Sequence, residues 1–158
     1  MIPSTAPAQV LWRWTSCTPA PAARARTALG CALDLMGVRG EALSNAVLAA
    51  SELVANASEH AVGPYELRLR RASSEIICEV LDHDPHIPQR PACPTTALFL
   101  PEPQHRGGEL DALCDLLTER GRGLHIVHQL TDGAWGFRRI GTGTGGRSAK
   151  VAWMVIRP

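Results

Sequence analysis

The sequence predicts an α/β (α+β) two-layer sandwich: one mixed, mostly antiparallel sheet with helices packed on one of its faces. Three observations carry that expectation. A long amphipathic helical stretch occupies residues 41–60. Two strand-like segments follow it at once, and two more close the chain. The length of 158 residues, 45% of them hydrophobic, suits one domain around one core, so residues 1–158 are read as a single domain.

Val10-Leu11-Trp12-Arg13-Trp14 alternates loosely, as an edge strand does. Pro19 and Pro21 open an alanine- and arginine-rich stretch running to Met36, in which Leu29, Ala32, Leu33 and Met36 recur at helical spacing. Gly37 and Gly40 punctuate its end. Glu41 to His60 is the clearest helix. Its residues Leu43, Val47, Ala50, Val54 and Ala57 step by four and three into one apolar stripe, and Gly63-Pro64 stops it. Tyr65 to Arg71 alternates Leu67 and Leu69 with charges, and Glu75 to Asp82 is a second strand, with Ser73-Ser74 between them as a hairpin turn.

From His83 to about His105 six prolines, from Pro85 to Pro103, exclude regular structure. A loop of this length in a small domain is either a functional lid or disordered. Glu109 to Leu117 reads as a short helix, and Gly121-Arg122-Gly123 leads into another over Leu124 to Leu130. Ala134 to Ile140 and Lys150 to Ile156 are closing strands joined by a glycine-rich turn, and there are no internal repeats.

Bulk properties exclude several classes. A formal net charge of +1 gives no electrostatic case for direct nucleic-acid or membrane binding. No apolar run approaches the roughly 20 residues that span a bilayer. The start has neither a basic leader nor an apolar middle stretch, so the cytoplasm is the expected location. Five widely spaced cysteines without a C-x-x-C pair argue for reduced thiols rather than a disulfide framework or a cysteine zinc site.

Three groups of residues are candidates for chemistry. Glu52, Asn56 and His60 are spaced by four on the strongest helix and so share one face. A carboxylate there can take a proton from an attacking hydroxyl, and an amide oxygen is a hard ligand suited to Mg2+. The same spacing is also that of an ordinary solvated helix face. Asp82 ends an apolar strand, where a carboxylate can accept a hydrogen bond from an exocyclic amine such as adenine's; it is equally a turn-forming Asp before Pro85. Gly121 and Gly123 precede a helix, where glycines let backbone N–H groups approach phosphate and the helix end favours anions; they also suit an ordinary loop-to-helix joint. His125 and His128 lie three apart, with no evident third metal ligand.

The order of these pieces is more specific than any one of them. Glu52-Leu53-Val54-Ala55-Asn56-Ala57-Ser58-Glu59-His60 resembles the N box of the GHKL ATPases, Val80-Leu81-Asp82-His83-Asp84-Pro85 their first glycine box, and Arg120-Gly121-Arg122-Gly123-Leu124-His125-Ile126-Val127 the glycine box after the lid. The segments from Leu130 to Gly136 and from Lys150 to Trp153 resemble the closing strands of the anti-sigma factor serine kinase subgroup. The resemblance covers roughly residues 29–156 and implies a Bergerat ATP-binding fold.

By that resemblance Glu52 is the general base, Asn56 the Mg2+ ligand within an ATP site that includes His60, and Asp82 the adenine-binding residue. Gly121, Arg122, Gly123 and Leu124 wrap the phosphates beneath a Pro-rich ATP lid at about residues 83–120. The implied reaction is γ-phosphoryl transfer from ATP to a serine of an anti-sigma factor antagonist of STAS type. The other implied partner is a sigma factor, sequestered while the antagonist is phosphorylated, and the implied assembly is a homodimer. The sequence departs from the pattern in three places. His83, Asp84 and Pro85 stand where the first glycine box has glycines. Val151 stands where the last strand often carries a hydroxyl, with Ser148 nearby, and the long lid has an apolar patch at Ala97-Leu98-Phe99-Leu100. The altered glycine box keeps a second expectation open, a Bergerat-fold module that binds the same proteins with weak or no ATP binding and no kinase activity.

Overall fold

A computed structural model describes residues 6–84, 86–87, 119–141, 146 and 148–158. Strand β1 (Gln9–Trp14) leads to helices α1 (Pro21–Leu35) and α2 (Gly40–His60), then to the hairpin of β2 (Tyr65–Ala72) and β3 (Glu75–Asp82). Helix α3 (Glu119–Leu130) precedes the closing strands β4 (Trp135–Ile140) and β5 (Ala149–Ile156). The five strands form one sheet in the order β1-β2-β3-β5-β4. Every pairing among the described residues is antiparallel, in keeping with the mostly antiparallel sheet expected.

Local chemistry explains the element ends. Pro21 opens α1, where its missing N–H costs nothing. Gly37, at φ 87, closes it in a Schellman arrangement: the Gly37 N–H donates to the Asp34 carbonyl and the Val38 N–H to the Leu33 carbonyl. Val38 is then fully buried, which anchors the turn between α1 and α2. Ser73, at φ 56, makes the tight turn of the β2–β3 hairpin.

One face of the sheet carries the helices. Tyr65, Leu67 and Leu69 of β2, Ile76, Cys78 and Val80 of β3, and Met154 and Ile156 of β5 pack against Leu29 and Leu33 of α1, Leu53 and Val54 of α2, and Leu124 and Val127 of α3 in one core. Each large apolar side chain buried in this way contributes about 1.5–3 kcal/mol. In α2 the buried stripe is wider than the spacing suggested: Ala46, Ala49 and Leu53 lie deep, while Leu43 and Val47 sit at its margin. Small alanines let this helix approach the sheet closely. Trp14 donates its indole N–H to the Ser58 hydroxyl at 3.0 Å, which ties β1 to α2.

The opposite face carries charge. Glu79, 1% exposed, accepts at Oε1 from Arg70 of β2 (2.9 Å) and Arg138 of β4 (2.7 Å). Beside it Glu66 is paired with Arg13 and Arg68. Burial pushes the Glu66 carboxyl up, but its two arginine partners outweigh that and hold it below the ordinary glutamate value.

Helix α3 corrects one expectation. It begins at Glu119, five residues before Leu124, so Gly121-Arg122-Gly123 lie within the helix and do not form a loop leading into it. Two glycines cost a helix about 1 kcal/mol each against alanine. The packing of Leu124 and Val127 on the core outweighs local propensity here. The expected helix at residues 109–117, the patch at 97–100 and most of the segment at 83–120 lie outside the described residues.

Candidate functional site

The C-terminal half of α2 and the start of α3 face each other across a cleft of about 380 Å³. Glu52, Asn56 and His60 line one wall, as their four-residue spacing requires. Arg122 and Gly123 of α3 line the other. The two halves come close at Glu52: a Cβ added to Gly123 would lie 2.8 Å from Glu52 Oε2. Glycine at this position is therefore what lets the backbone of α3 pass the carboxylate.

Asn56 Oδ1 is buried and has no hydrogen-bond partner among the described residues. Such an orphan acceptor costs about 1–3 kcal/mol, so the site holds an unspent oxygen ligand one helical turn from a carboxylate. Both donors are hard oxygens, the chemistry that suits Mg2+. His60 closes the end of the cleft, with its Nε2 3.7 Å from Glu59 Oε2. Arg122 is exposed at the wall of the cleft, a guanidinium placed where an anion could bind.

Three other expected residues stand apart from this lining. Leu124 is buried in the core between α3 and the sheet and does not face the cleft. Gly121 lies in the first turn of α3. Gly123 and Leu124 lie inside the helix, where their amides belong to its internal hydrogen-bond ladder.

Asp82 ends β3, 2% exposed, and both of its oxygens are engaged. The Asp84 N–H donates to Oδ1 at 2.8 Å, and Lys150 Nζ stands 3.4 Å from Oδ2. Lys150 also donates to the His86 carbonyl (3.2 Å), lies 3.8 Å from Asp84 Oδ2, and sits 5.7 Å above the Phe137 ring. Burial pushes the Asp82 carboxyl above the ordinary aspartate value, against the opposing pull of the Asp84 N–H and Lys150. The His86 N–H donates to Asp84 Oδ1 at 2.9 Å, so aspartate side chains hold the backbone N–H groups where the family pattern has glycines.

Sequence reasoning missed Lys150, the chain's only lysine. Its signal was a lone cation on a buried strand, and the β3–β5 register sets it directly opposite Asp82. Ser148 is exposed just before β5. His128 accepts at Nδ1 from the Trp135 indole N–H (3.2 Å) and packs edge-on against that ring, which gives it a structural role. No helix among the described residues is long and apolar enough to cross a membrane.

The family model described as histidine kinase-like ATPase domain matches residues 15–149, which include every element from α1 to β4. No curated protein was found to match the chain.

Proposed function

Because the chain belongs to the histidine kinase-like ATPase domain family, within the GHKL superfamily, we propose that it is an anti-sigma factor with ATP-dependent serine protein kinase activity. The GHKL ATPases bind ATP, usually with Mg2+. The observation that carries the reading is the buried Asn56 Oδ1, without a hydrogen-bond partner among the described residues and set in one cleft with Glu52 and Arg122. Asn56 would hold Mg2+, which when bound neutralises charge on the triphosphate. Glu52 accepts the proton of the attacking serine hydroxyl as the Oγ–P bond forms and the bond to the ADP oxygen breaks. Arg122 supplies charge-assisted hydrogen bonds to phosphate oxygens. Catalysis of this kind is mostly positioning, and α2 is well suited to it because its opposite face is locked into the core.

The partners follow from the motif order and from the likeness of the closing strands to the anti-sigma subgroup. The acceptor serine belongs to a STAS-type antagonist, the sequestered partner is a sigma factor, and the working form is a homodimer in the cytoplasm. A second reading, a module that binds these proteins with little ATP binding and no transfer, is favoured by one observation: Asp82 is already engaged by Lys150 and the Asp84 N–H.

Calorimetric titration of ATP with and without Mg2+, on wild type and Asn56→Ala, tests the proposal. The expected result is Mg2+-dependent binding that weakens about tenfold or more in the variant, a change of about 1.4 kcal/mol. No binding by wild type at millimolar ATP overturns the kinase reading and leaves the binding module. Glu52→Ala then separates the two readings, since a kinase loses transfer but keeps its protein contacts, whereas a pure binder is unchanged.

A further inference from the structure

We propose that a second hollow, at the far end of the two helices that frame the cleft, is a docking pocket for an arginine side chain of a partner protein. The inference concerns another part of the surface and does not depend on how the cleft is read. The seam between α2 and α3 opens at both ends. At one end the C-terminal half of α2 and the start of α3 frame the cleft. At the other, the first turns of α2, the residues that end α3 and the last residues of β5 enclose a hollow of about 290 Å³. Glu41 and Glu52 mark the two openings and stand about 16 Å apart along the axis of α2.

The lining of this hollow divides by chemistry. Ala42, Ala46, Leu130, Met154 and Ile156 give it an aliphatic floor, and Ala46, Met154 and Ile156 are part of the core. Glu41, Asn45, Asp132 and Arg157 supply its polar groups. Arg157 donates to Glu75 at 2.9 Å, a residue outside the lining, so its charge is committed elsewhere. Glu41 and Asp132 are exposed and take part in no ion pair among the described residues. Glu41 complements the first-turn amides of α2 whether or not a partner binds. Asp132 has no such use. It follows the C-terminus of α3, where the helix dipole opposes an anion.

Charge and size together select the occupant. Two uncommitted carboxylates and an amide above an aliphatic floor complement an alkyl stem that ends in a cation. The volume lies just below the roughly 300–1,000 Å³ of sites for free small molecules. It agrees instead with a single anchoring side chain brought by a larger partner. Arginine suits the hollow better than lysine. Its planar fork of N–H donors can reach separated carboxylates at once, whereas an ammonium acts as a point charge. Arginine is also among the residues that most often anchor protein interfaces.

The test is a titration of the isotope-labelled chain, without nucleotide, followed through its amide chemical shifts. The probes are N-acetylargininamide, N-acetyllysinamide and the uncharged isostere N-acetylcitrullinamide. The arginine probe is expected to shift the amides of Ala42, Asn45 and Asp132 with a Kd on the order of millimolar. Lysine should bind about threefold or more weakly than arginine, and citrulline about tenfold or more weakly. Asp132 lies at φ 52, a conformation that asparagine also tolerates, so Asp132→Asn removes the charge and keeps the turn. That variant should weaken arginine about threefold or more, and Ala42→Leu, which fills the hollow, about tenfold or more. Should Ala42→Leu fail to fold, D132N decides alone. Equal affinity for arginine and either other probe overturns the proposal. So does an affinity that the folded variants leave unchanged, or the absence of any shift at Ala42, Asn45 and Asp132. An arginine response at Glu52, Asn56 and His60 in their place puts the cation in the cleft and overturns it as well.

Discussion

Replacing Gly123 by alanine should separate catalysis from stability. The added Cβ would meet Glu52 Oε2 at 2.8 Å, while the other two neighbours, Cβ and Cδ of the same glutamate, lie at an ordinary 3.9 Å. Relief therefore needs only the flexible end of one side chain to move, and withdrawal to the ordinary contact distance of 3.4 Å is a shift of about 0.6 Å. Forcing the carboxylate off its preferred rotamer costs about 0.5–1.5 kcal/mol. Alanine in place of glycine inside α3 returns about 1 kcal/mol of helix propensity. The net change in stability is thus within about 1 kcal/mol, or roughly 2–4 °C in Tm for a chain of this size. Catalysis has no such compensation. A reacting group misplaced by about 1 Å can lose on the order of a hundredfold, so a displacement of this size is expected to lower turnover by about tenfold or more. Affinity for MgATP should stay within about threefold, because Asn56 is untouched. The assay is phosphoryl transfer, or MgATP turnover, measured beside thermal unfolding and calorimetric binding. Unchanged turnover in a folded variant would refute the assignment of Glu52. A Tm loss well beyond this range would refute the premise that only a flexible carboxylate must move.

Two other substitutions probe the sheet. Gly136→Ala places a Cβ 2.9 Å from Cζ2 and 3.1 Å from Cε2 of Trp153, a rigid ring that cannot yield as a carboxylate does, so a loss of about 1–3 kcal/mol in urea unfolding is expected; a neutral result would mean that the ring is free to swing away. Glu79→Ala removes the buried partner of Arg70 and Arg138 and should cost about 2–3 kcal/mol, below the usual range for a fully buried pair because both arginines reach solvent. Arg138→Ala, at the exposed end of that pair, should cost less than about 1 kcal/mol, and the reverse ranking in denaturant titrations would contradict the geometry.

What could be read from the sequence was whatever is set within one element or between neighbours. The four-residue spacing of Glu52, Asn56 and His60 specifies a shared helix face whatever the rest of the chain does, and that face lines the cleft. Gly37 foretold the end of α1, because only a left-handed residue closes a helix in that way. The hairpin followed from two alternating segments close together. Periodicity told where α2 turns its apolar side, though not which of the small and large residues on that side lie deepest, since that depends on how the sheet presses against it.

What could not be read depends on distances between elements remote in sequence. Asp82 looked like a strand-end acceptor, and nothing local shows that Lys150, 68 positions later, lands opposite it; that requires the β3–β5 register, which the intervening chain does not specify. Gly121-Arg122-Gly123 looked like a loop because glycine disfavours helix, yet the burial of Leu124 and Val127 draws the segment into α3. The two misreadings share a cause and bear on one question. Gly123 serves mainly to admit Glu52, and Asp82 serves first to pair Lys150. The groups that would handle phosphate, Asn56, Glu52 and Arg122, therefore stand together in the open cleft, whereas the group expected to read the base is buried in the sheet with a partner of its own. Measuring phosphate recognition and base recognition separately is thus the way to find which part of this site the chain still uses.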